Sequence, residues 1–365
     1  MFGGAYAGKR VLVTGHTGFK GSWLSQWLLR LGANVAGYSL YIPSQPSNFE
    51  VLHLADHIEH CEGDIRNLDD LTRVFQDFQP EVVFHLAAQP IVRSSYDEPK
   101  LTFDTNLGGT VNVLEAIRMT PSVKSAVFIT SDKCYENVEW EYGYRESDRL
   151  GGKDPYSASK ACAEIAFSAY WRSFFQNGDM RMATTRAGNV IGGGDWAKDR
   201  IVPDCIRAWA EEKTPVIRNP VSTRPWQHVL EPLSGYLWLG AKMYLAEEQG
   251  LAGEAFNFGP MAEVNQPVST LVDEMIRTWE GKRWENGAGS VSGNPEAGLL
   301  KLCCDKALHR LEWSANLSFE ETVRMTAEWY LEYYAGKKDM VEFTERQIDA
   351  YEKLAGQRAM AWATS

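Results

Sequence analysis

Two short segments carry the side chains with the most chemical capability. Tyr156-Ser157-Ala158-Ser159-Lys160 places a phenol and an ammonium four residues apart. On a helix, that spacing puts both on one face. A cation beside a phenol favours the phenolate, so the pair predicts a lowered tyrosine pKa and a general base usable near neutral pH. Thr130-Ser131-Asp132-Lys133 adds hydroxyl, carboxylate and amine directly after the apolar run Ala126 to Thr130. If that run is a parallel strand, these groups stand at the carboxyl edge of the sheet, where open α/β sheets bind ligands. Y-x-x-x-K alone is common as a surface tyrosine beside a solvated lysine; its position after such a strand gives it weight.

A glycine-rich turn lies near the start. Thr14-Gly15-His16-Thr17-Gly18-Phe19-Lys20-Gly21 joins Val11-Leu12-Val13 to a helical pattern. Small residues there let the backbone approach a pyrophosphate, and a helix N-terminus offers free N–H groups and a positive dipole end. The spacing is G-x-x-G-x-x-G, not the usual G-x-G-x-x-G, so its place in a strand–turn–helix unit carries the inference of dinucleotide binding. Two later turns fit the same site: Gly63-Asp64-Ile65, whose carboxylate can accept from an adenine, and Leu86-Ala87-Ala88, whose small side chains leave room for ribose and nicotinamide. The acidic residue expected after the second strand is missing and Ser39 stands near its place, so that position leaves NAD against NADP open. Lys20 is able to attract a phosphate.

The elements that must position these groups are legible in the periodicity. Phe19, Trp23, Trp27 and Leu31 recur every four residues, as on one helix face. Val35 to Leu40 reads as a strand, Leu68 to Phe78 as a helix capped by Asn67, Val82 to Leu86 as a strand, and Thr105 to Arg118 as a helix. A helix is expected from Tyr156 to Phe175 and a strand from Met182 to Ala187. Short apolar strands alternating with amphipathic helices imply an α/β, Rossmann-like, doubly wound parallel sheet. Residues 188–226 read as loop and short helix, 230–245 as helix, Ala255 to Phe258 as strand and 281–298 as an exposed loop. Phe319 to Tyr334 and Val341 to Leu354 read as helices. The expected division is a dinucleotide-binding domain at 1–187, with a returning segment at about 227–260. A smaller, partly interleaved C-terminal substrate domain takes 188–226 and 261–365.

Composition excludes several classes. The chain has 365 residues, is 44% hydrophobic, and carries 37 basic against 48 acidic side chains, a net charge of −11. That apolar content excludes a disordered chain, and the acidity argues against a nucleic-acid partner. No uncharged stretch reads as a membrane span, since the longest, Leu31 to Phe49, is broken by glycines and prolines. No signal peptide is read at the start. Cys61, Cys134, Cys162, Cys205, Cys303 and Cys304 show neither C-x-x-C nor a disulfide rhythm. A reducing cytoplasm and no structural metal are expected.

Six ordered motifs make the chain similar to a known group. They are Thr14 to Leu24 (TGHTGFKGSWL), His85 to Tyr96 (HLAAQPIVRSSY), Thr130 to Tyr135 (TSDKCY), Gly188 to Trp196 (GNVIGGGDW), Arg224 to Val229 (RPWQHV) and Pro295 to Ala297 (PEA). With Tyr156 and Lys160 they resemble the extended short-chain dehydrogenase/reductase superfamily, more narrowly its nucleotide-sugar 4,6-dehydratases, from about Lys9 to Leu354. The resemblance implies an internal redox cycle on NAD. Tyr156, helped by Lys160 and Ser131, takes the proton of the sugar's 4-hydroxyl while carbon 4 gives up hydride. Water is then lost across carbons 5 and 6, and hydride returns to carbon 6. It also implies that Thr14 to Gly21, Ser39, Asp64, Ile65, Leu86, Ala87, Ala88, Asn106, Thr130, Tyr156 and Lys160 hold NAD.

In the commoner pattern the elimination acid and base are Asp and Glu; here Asp132 matches the acid and Lys133 replaces the base. Lys133 is expected to take the glutamate's role at carbon 5. Positioning a water, stabilising the developing enolate and simple pairing with Asp132 stay open as alternatives. Asn189 matches a position that binds the diphosphate or the sugar, and Arg224 matches a pyrophosphate arginine. Arg200, Ile201 and Ile217 lie on segments flanking the nucleobase, and Gln89, Arg93 and Ser94 stand near the sugar hydroxyls. Glu296-Ala297 falls where thymidine-sugar enzymes carry a second phosphate-binding arginine, which fits a cytidine branch acting on CDP-glucose. Rival readings are a UDP-N-acetylglucosamine or dTDP-glucose dehydratase, a 4-epimerase, and a non-catalytic NAD-sensing module. The resemblance further implies a homodimer through the helices Thr105 to Arg118 and Tyr156 onward.

Overall fold

The computed structural model describes residues 1–246, 250–261, 264–287 and 299–365. The expected loop at 281–298 lies mostly outside them, and Pro295-Glu296-Ala297 wholly so.

Seven strands form one sheet: β1 (Arg10–Thr14), β2 (Asn34–Ser39), β3 (Glu59–Glu62), β4 (Val82–His85), β5 (Ser125–Ile129), β6 (Arg181–Arg186) and β7 (Ala255–Asn257). Every neighbouring pair is parallel, in the order β7-β6-β5-β4-β1-β2-β3. The expected doubly wound sheet is therefore present. Val11, Leu12 and Val13 are fully buried, as a strand covered on both faces requires. Strand order reverses between β1 and β4, where Thr14 stands opposite His85, and a crevice opens beyond their carboxyl ends.

The main helices are α1 (Phe19–Arg30), α2 (Leu68–Phe78), α3 (Gly109–Arg118), α4 (Pro155–Tyr170), α5 (Ile201–Ala210), α6 (Leu230–Leu245), α7 (Phe319–Ala335) and α8 (Met340–Gln357). Asn67 caps α2, accepting from the Asp70 N–H, an arrangement worth about 1 kcal/mol. Two expected helices are interrupted. Residues 104–108 form a π turn before α3, and 171–175 form another after α4. The first has a local cause: its Asn106 side chain bonds both backbone groups of Gln89, at 2.8 and 3.1 Å.

Alternate strand residues feed two cores, as the pleat dictates. Leu12, Val83, Ala126 and Phe128 pack with Phe75, Leu114 and Phe167 on one face. Phe167 belongs to this core, its ring 5.4 Å from that of Phe128. On the other face Val11, Val13, Phe84 and Val127 join one cluster with Trp23, Trp196, Leu237, Trp313, Trp329 and Tyr351. Side chains from 188–226 and from the C-terminal helices thus share a core with the sheet. Among the described residues no helix is long and apolar enough to cross a membrane, and no group of His, Cys, Asp and Glu could hold a metal.

Candidate active site

The glycine turn is a cradle open at the crevice. Gly15 has φ +76°, and a Cβ there would lie 2.7 Å from the Ala87 nitrogen. Gly18 caps α1 in extended conformation, and a Cβ on Gly21 would overlap the Gly15 carbonyl. Glycine is thus needed for the turn and for the close seating of α1, whose first N–H groups face outward without intrahelical partners. Thr14 ties two strand ends together: its hydroxyl accepts from the Ala87 N–H at 3.3 Å and bonds His85 Nδ1 at 2.7 Å. A dinucleotide pyrophosphate fits this cradle.

Not every side chain of the turn faces the crevice. The His16 ring is buried against Gly37, with Nδ1 2.9 Å from Ser39 Oγ and Nε2 2.7 Å from His60 Nδ1. Burial, with His60 beside it, pushes its pKa down to about 3, so the ring is neutral. Ser39 also accepts from the Thr17 N–H at 3.3 Å; its polar capacity is spent inside the loop. Lys20 points to the catalytic side, where burial and then Arg200 push its ammonium down to about 8 while Asp132 opposes them. Both Asp64 oxygens are held by Arg66, which lowers the carboxyl's pKa. Ile65 packs on Gly109, and its carbonyl accepts from Asn112 at 2.9 Å. Asn106 also donates to Ser159 at 2.9 Å, fixing the Gln89 turn beside α4.

α4 begins with Pro155 after an Asp154 cap that accepts from the Ser157 N–H at 2.9 Å. Its first turns bury Tyr156 and Lys160. The phenol's pKa differs from expectation. Burial pushes it up to about 12, Asp132 adds to the rise, and the hydrogen bond with Ser131 and the charge of Arg200 only partly oppose them. Burial likewise pushes Lys160 down to about 8. Burial leads in both groups, against the lowered phenol pKa that the sequence pattern predicted.

β5 ends into a short turn over Asp132–Cys134, capped by Ser131, whose hydroxyl accepts from the Lys133 N–H at 3.2 Å and donates to Asp132 Oδ1 at 2.9 Å. Among the described residues no ion pair joins Lys133 to Asp132, and Lys133 is half-buried. A Cβ on Gly188 would overlap the Asp132 carboxylate. Beneath them, Arg186 Nε and Nη2 donate to the two oxygens of Glu164 at 2.9 and 3.0 Å, both residues buried. Thr130 donates to the same carboxylate at 2.5 Å and Thr184 at 2.7 Å. Thr130 therefore points into this network, away from the crevice.

A small cavity adjoins Asp132, lined by Gly188, Asn189, Gln227, Met261, Asn265 and Lys301 among others. Asn189 holds φ +53° on its wall. Arg200 pairs with Asp195 at 2.7 Å and acts on Tyr156 and Lys20, so it faces the catalytic groups. Ile201 opens α5, and Ile217 is buried in a two-residue strand. Arg224 lies on the strand Thr223–Pro225, donating to Ser222 Oγ and the Thr223 carbonyl at 2.8 Å. Gln89 spends its amide locally, accepting from the Ile91 N–H at 2.5 Å and donating to Thr102 at 2.9 Å. Arg93 pairs with Asp199 at 3.3 Å on the exposed rim, and Ser94 lies half-buried on the same short helix. The structure thus gathers Lys20, Ser131, Asp132, Tyr156, Lys160 and Arg200. Sequence reasoning missed Gly188, Gln227 and Lys301. Gly188 and Gln227 lie in quoted motifs without chemistry of their own, and Lys301 carries no local signal.

With this geometry in place, the comparisons are informative. A family profile described as GDP-mannose 4,6 dehydratase matches residues 12–326. A CDP-glucose 4,6-dehydratase from Salmonella typhimurium is 46% identical over 354 residues, covering 95% of this chain and 97% of that protein. Among solved structures, a UDP-glucose 4-epimerase from Thermotoga maritima with UDP-glucose superposes with TM-score 0.76 at 24% identity, over 89% of this chain and 99% of that one. A dTDP-glucose 4,6-dehydratase from Bacillus anthracis in complex with NAD gives TM-score 0.74 at 22% identity, over 91% and 99%. At those identities the structures speak for the fold alone.

Proposed function

The chain belongs to the GDP-mannose 4,6-dehydratase family, and on that premise we propose that it converts CDP-glucose to CDP-4-keto-6-deoxyglucose with bound NAD. The observation that carries this reading is the placement of Asp132: a carboxylate bonded to Ser131, within the electrostatic reach of Tyr156, at the mouth of a cavity. An elimination needs an acid there; a simple epimerisation does not.

The glycine turn, Asp64, Ile65 and the Leu86-Ala87-Ala88 turn hold NAD, which when bound supplies the hydride acceptor for carbon 4 and the hydride donor for carbon 6. Tyr156, hydrogen-bonded by Ser131 and flanked by Lys160, removes the 4-hydroxyl proton. The carbon 4 ketone acidifies the proton on carbon 5, and Lys133 takes it. Asp132 protonates the 6-hydroxyl, which departs as water. Asn189 and Arg224 bind the diphosphate, where a guanidinium suits bidentate contact. Ile201 and Ile217 border the nucleobase segment. Arg93 and Ser94 border the sugar side, Gln89 shapes their loop through its bonds to Ile91 and Thr102, and Arg200 faces the catalytic groups.

In this reading 1–187 with 227–260 carries NAD, and 188–226 with 261–365 carries the nucleotide sugar. The protein works in the cytoplasm, in deoxysugar biosynthesis, as a homodimer through α3 and α4. Ile165 and Phe174, 59% and 58% exposed, support an interface along α4 and the turn after it. The test is turnover of CDP-, UDP-, dTDP- and GDP-glucose with NAD. A 4-keto sugar formed preferentially from CDP-glucose is expected. CDP-galactose would mean an epimerase, and no product a binding module.

A further inference from the structure

Gln227 lies on a two-residue strand that pairs with Val190–Ile191, one turn of chain before α6. It is 1% exposed. Its Nε2 donates to two carbonyls, Gly188 O at 2.9 Å and Phe258 O at 3.1 Å. That pair fixes the amide's orientation, because a flipped amide would set oxygen against oxygen twice. Oε1 therefore faces the other way, and there it is buried with no hydrogen-bond partner. Buried acceptors are seldom left unbonded, and such an atom asks for a ligand. The residue lines the cavity that also contains Asp132.

The elimination step sets a demand that this atom meets. For Asp132 to protonate the 6-hydroxyl, the oxygen must turn a lone pair toward the carboxyl, so its own hydrogen must point elsewhere. An amide oxygen can only accept, and it selects that orientation. Resting on the dehydratase reading above, we propose that Gln227 Oε1 accepts a hydrogen bond from the substrate's 6-hydroxyl and holds that bond while the oxygen, still carrying its own hydrogen, leaves. The carbon 5 proton goes to the base and its electron pair becomes the bond between carbons 5 and 6. The carbon 6–oxygen bond breaks with its pair on oxygen, and the Asp132 proton completes the water. Gln227 is thus a substrate-contacting residue that orients the leaving group.

The experiment compares elimination from CDP-glucose with elimination from CDP-6-deoxy-6-fluoroglucose, whose fluorine has lone pairs but no hydrogen to donate. The readout is the ratio of the two rates within each protein, so a partly unfolded preparation cancels. Gln227→Met should lower the hydroxyl-over-fluoride ratio about tenfold, the size of one lost hydrogen bond. If Gln227→Met does not fold, Gln227→Asn withdraws the acceptor and should lower the ratio in the same way. Equal slowing on both substrates in the Met or Asn variant would overturn the proposal and leave Gln227 only its bonds to Gly188 and Phe258. A wild-type protein that releases no water from CDP-glucose would instead sink the dehydratase reading itself.

Discussion

The Asp132 carboxylate occupies the space that a side chain on residue 188 would need. The seat is held from behind, since Gln227 grips the Gly188 carbonyl at 2.9 Å and donates its own N–H to the Asn189 carbonyl at 3.2 Å. Gly188→Ala should push Asp132 aside while leaving α4 untouched. A displacement near 1 Å costs about a hundredfold in a positioned reaction. Overall turnover should fall by that order while carbon 4 oxidation persists, seen as reduced nicotinamide that builds up. Full turnover in the variant would show that Asp132 tolerates another position.

Lys133 is half-buried next to Asp132 in sequence, with no ion pair between the two among the described residues. Lys133→Ala should keep carbon 4 oxidation and lose about 10²–10⁴-fold in elimination, the usual range for a general base. Exchange of the carbon 5 proton with solvent, followed by NMR, checks the assignment. Unchanged exchange would refute it.

The Glu164–Arg186 pair lies one helical turn beyond Lys160 and is fully enclosed. Burial pushes the Glu164 carboxyl up, but the charge and hydrogen bonds of Arg186 win and hold it below its ordinary value. Glu164→Gln strands a buried guanidinium and should cost about 3–5 kcal/mol in denaturant unfolding. Adding Arg186→Met should recover part of that loss. A double variant no more stable than the single one would contradict this reading.

Glu231 opens α6 and accepts from the Asn316 and Leu317 N–H groups and the Tyr351 hydroxyl. Burial pushes its pKa up from 4.5 to about 7. A raised carboxyl binds a proton in the fold that it releases when unfolded. Stability therefore falls as pH rises through that window, by about 3 kcal/mol in all. Urea midpoints at about pH 5 and about pH 8 should converge in Glu231→Gln relative to the wild type. An identical pH slope in both proteins would place the effect elsewhere.

Periodicity alone located β1, α1, β4 and the catalytic face of α4, because each is an apolar or charged pattern within one segment. The interrupted helices escaped it, since the π turn at 104–108 answers to Gln89, a partner outside the segment. The site was legible where chemistry resides in side-chain type, as for Tyr156, Lys160, Asp132 and Ser131. It was illegible where the geometry depends on what a residue lacks or leaves unused: the missing Cβ of Gly188 and the unbonded oxygen of Gln227. The phenol's pKa was misjudged for a related reason, because spacing reports neighbours but not the water they exclude.

α1 carries the cradle at one end and is stapled along its length by distant chain. Trp23 donates to the Gly193 carbonyl at 2.8 Å, Gln26 to Glu345 at 3.1 Å, and Trp27 to Glu352 at 2.8 Å, while Arg30 pairs with Asp349. The purlin that supports the nucleotide seat is thus braced by α8, more than three hundred positions downstream. The helix that carries the cradle owes its Gln26, Trp27 and Arg30 side-chain contacts to the docked C-terminal helix.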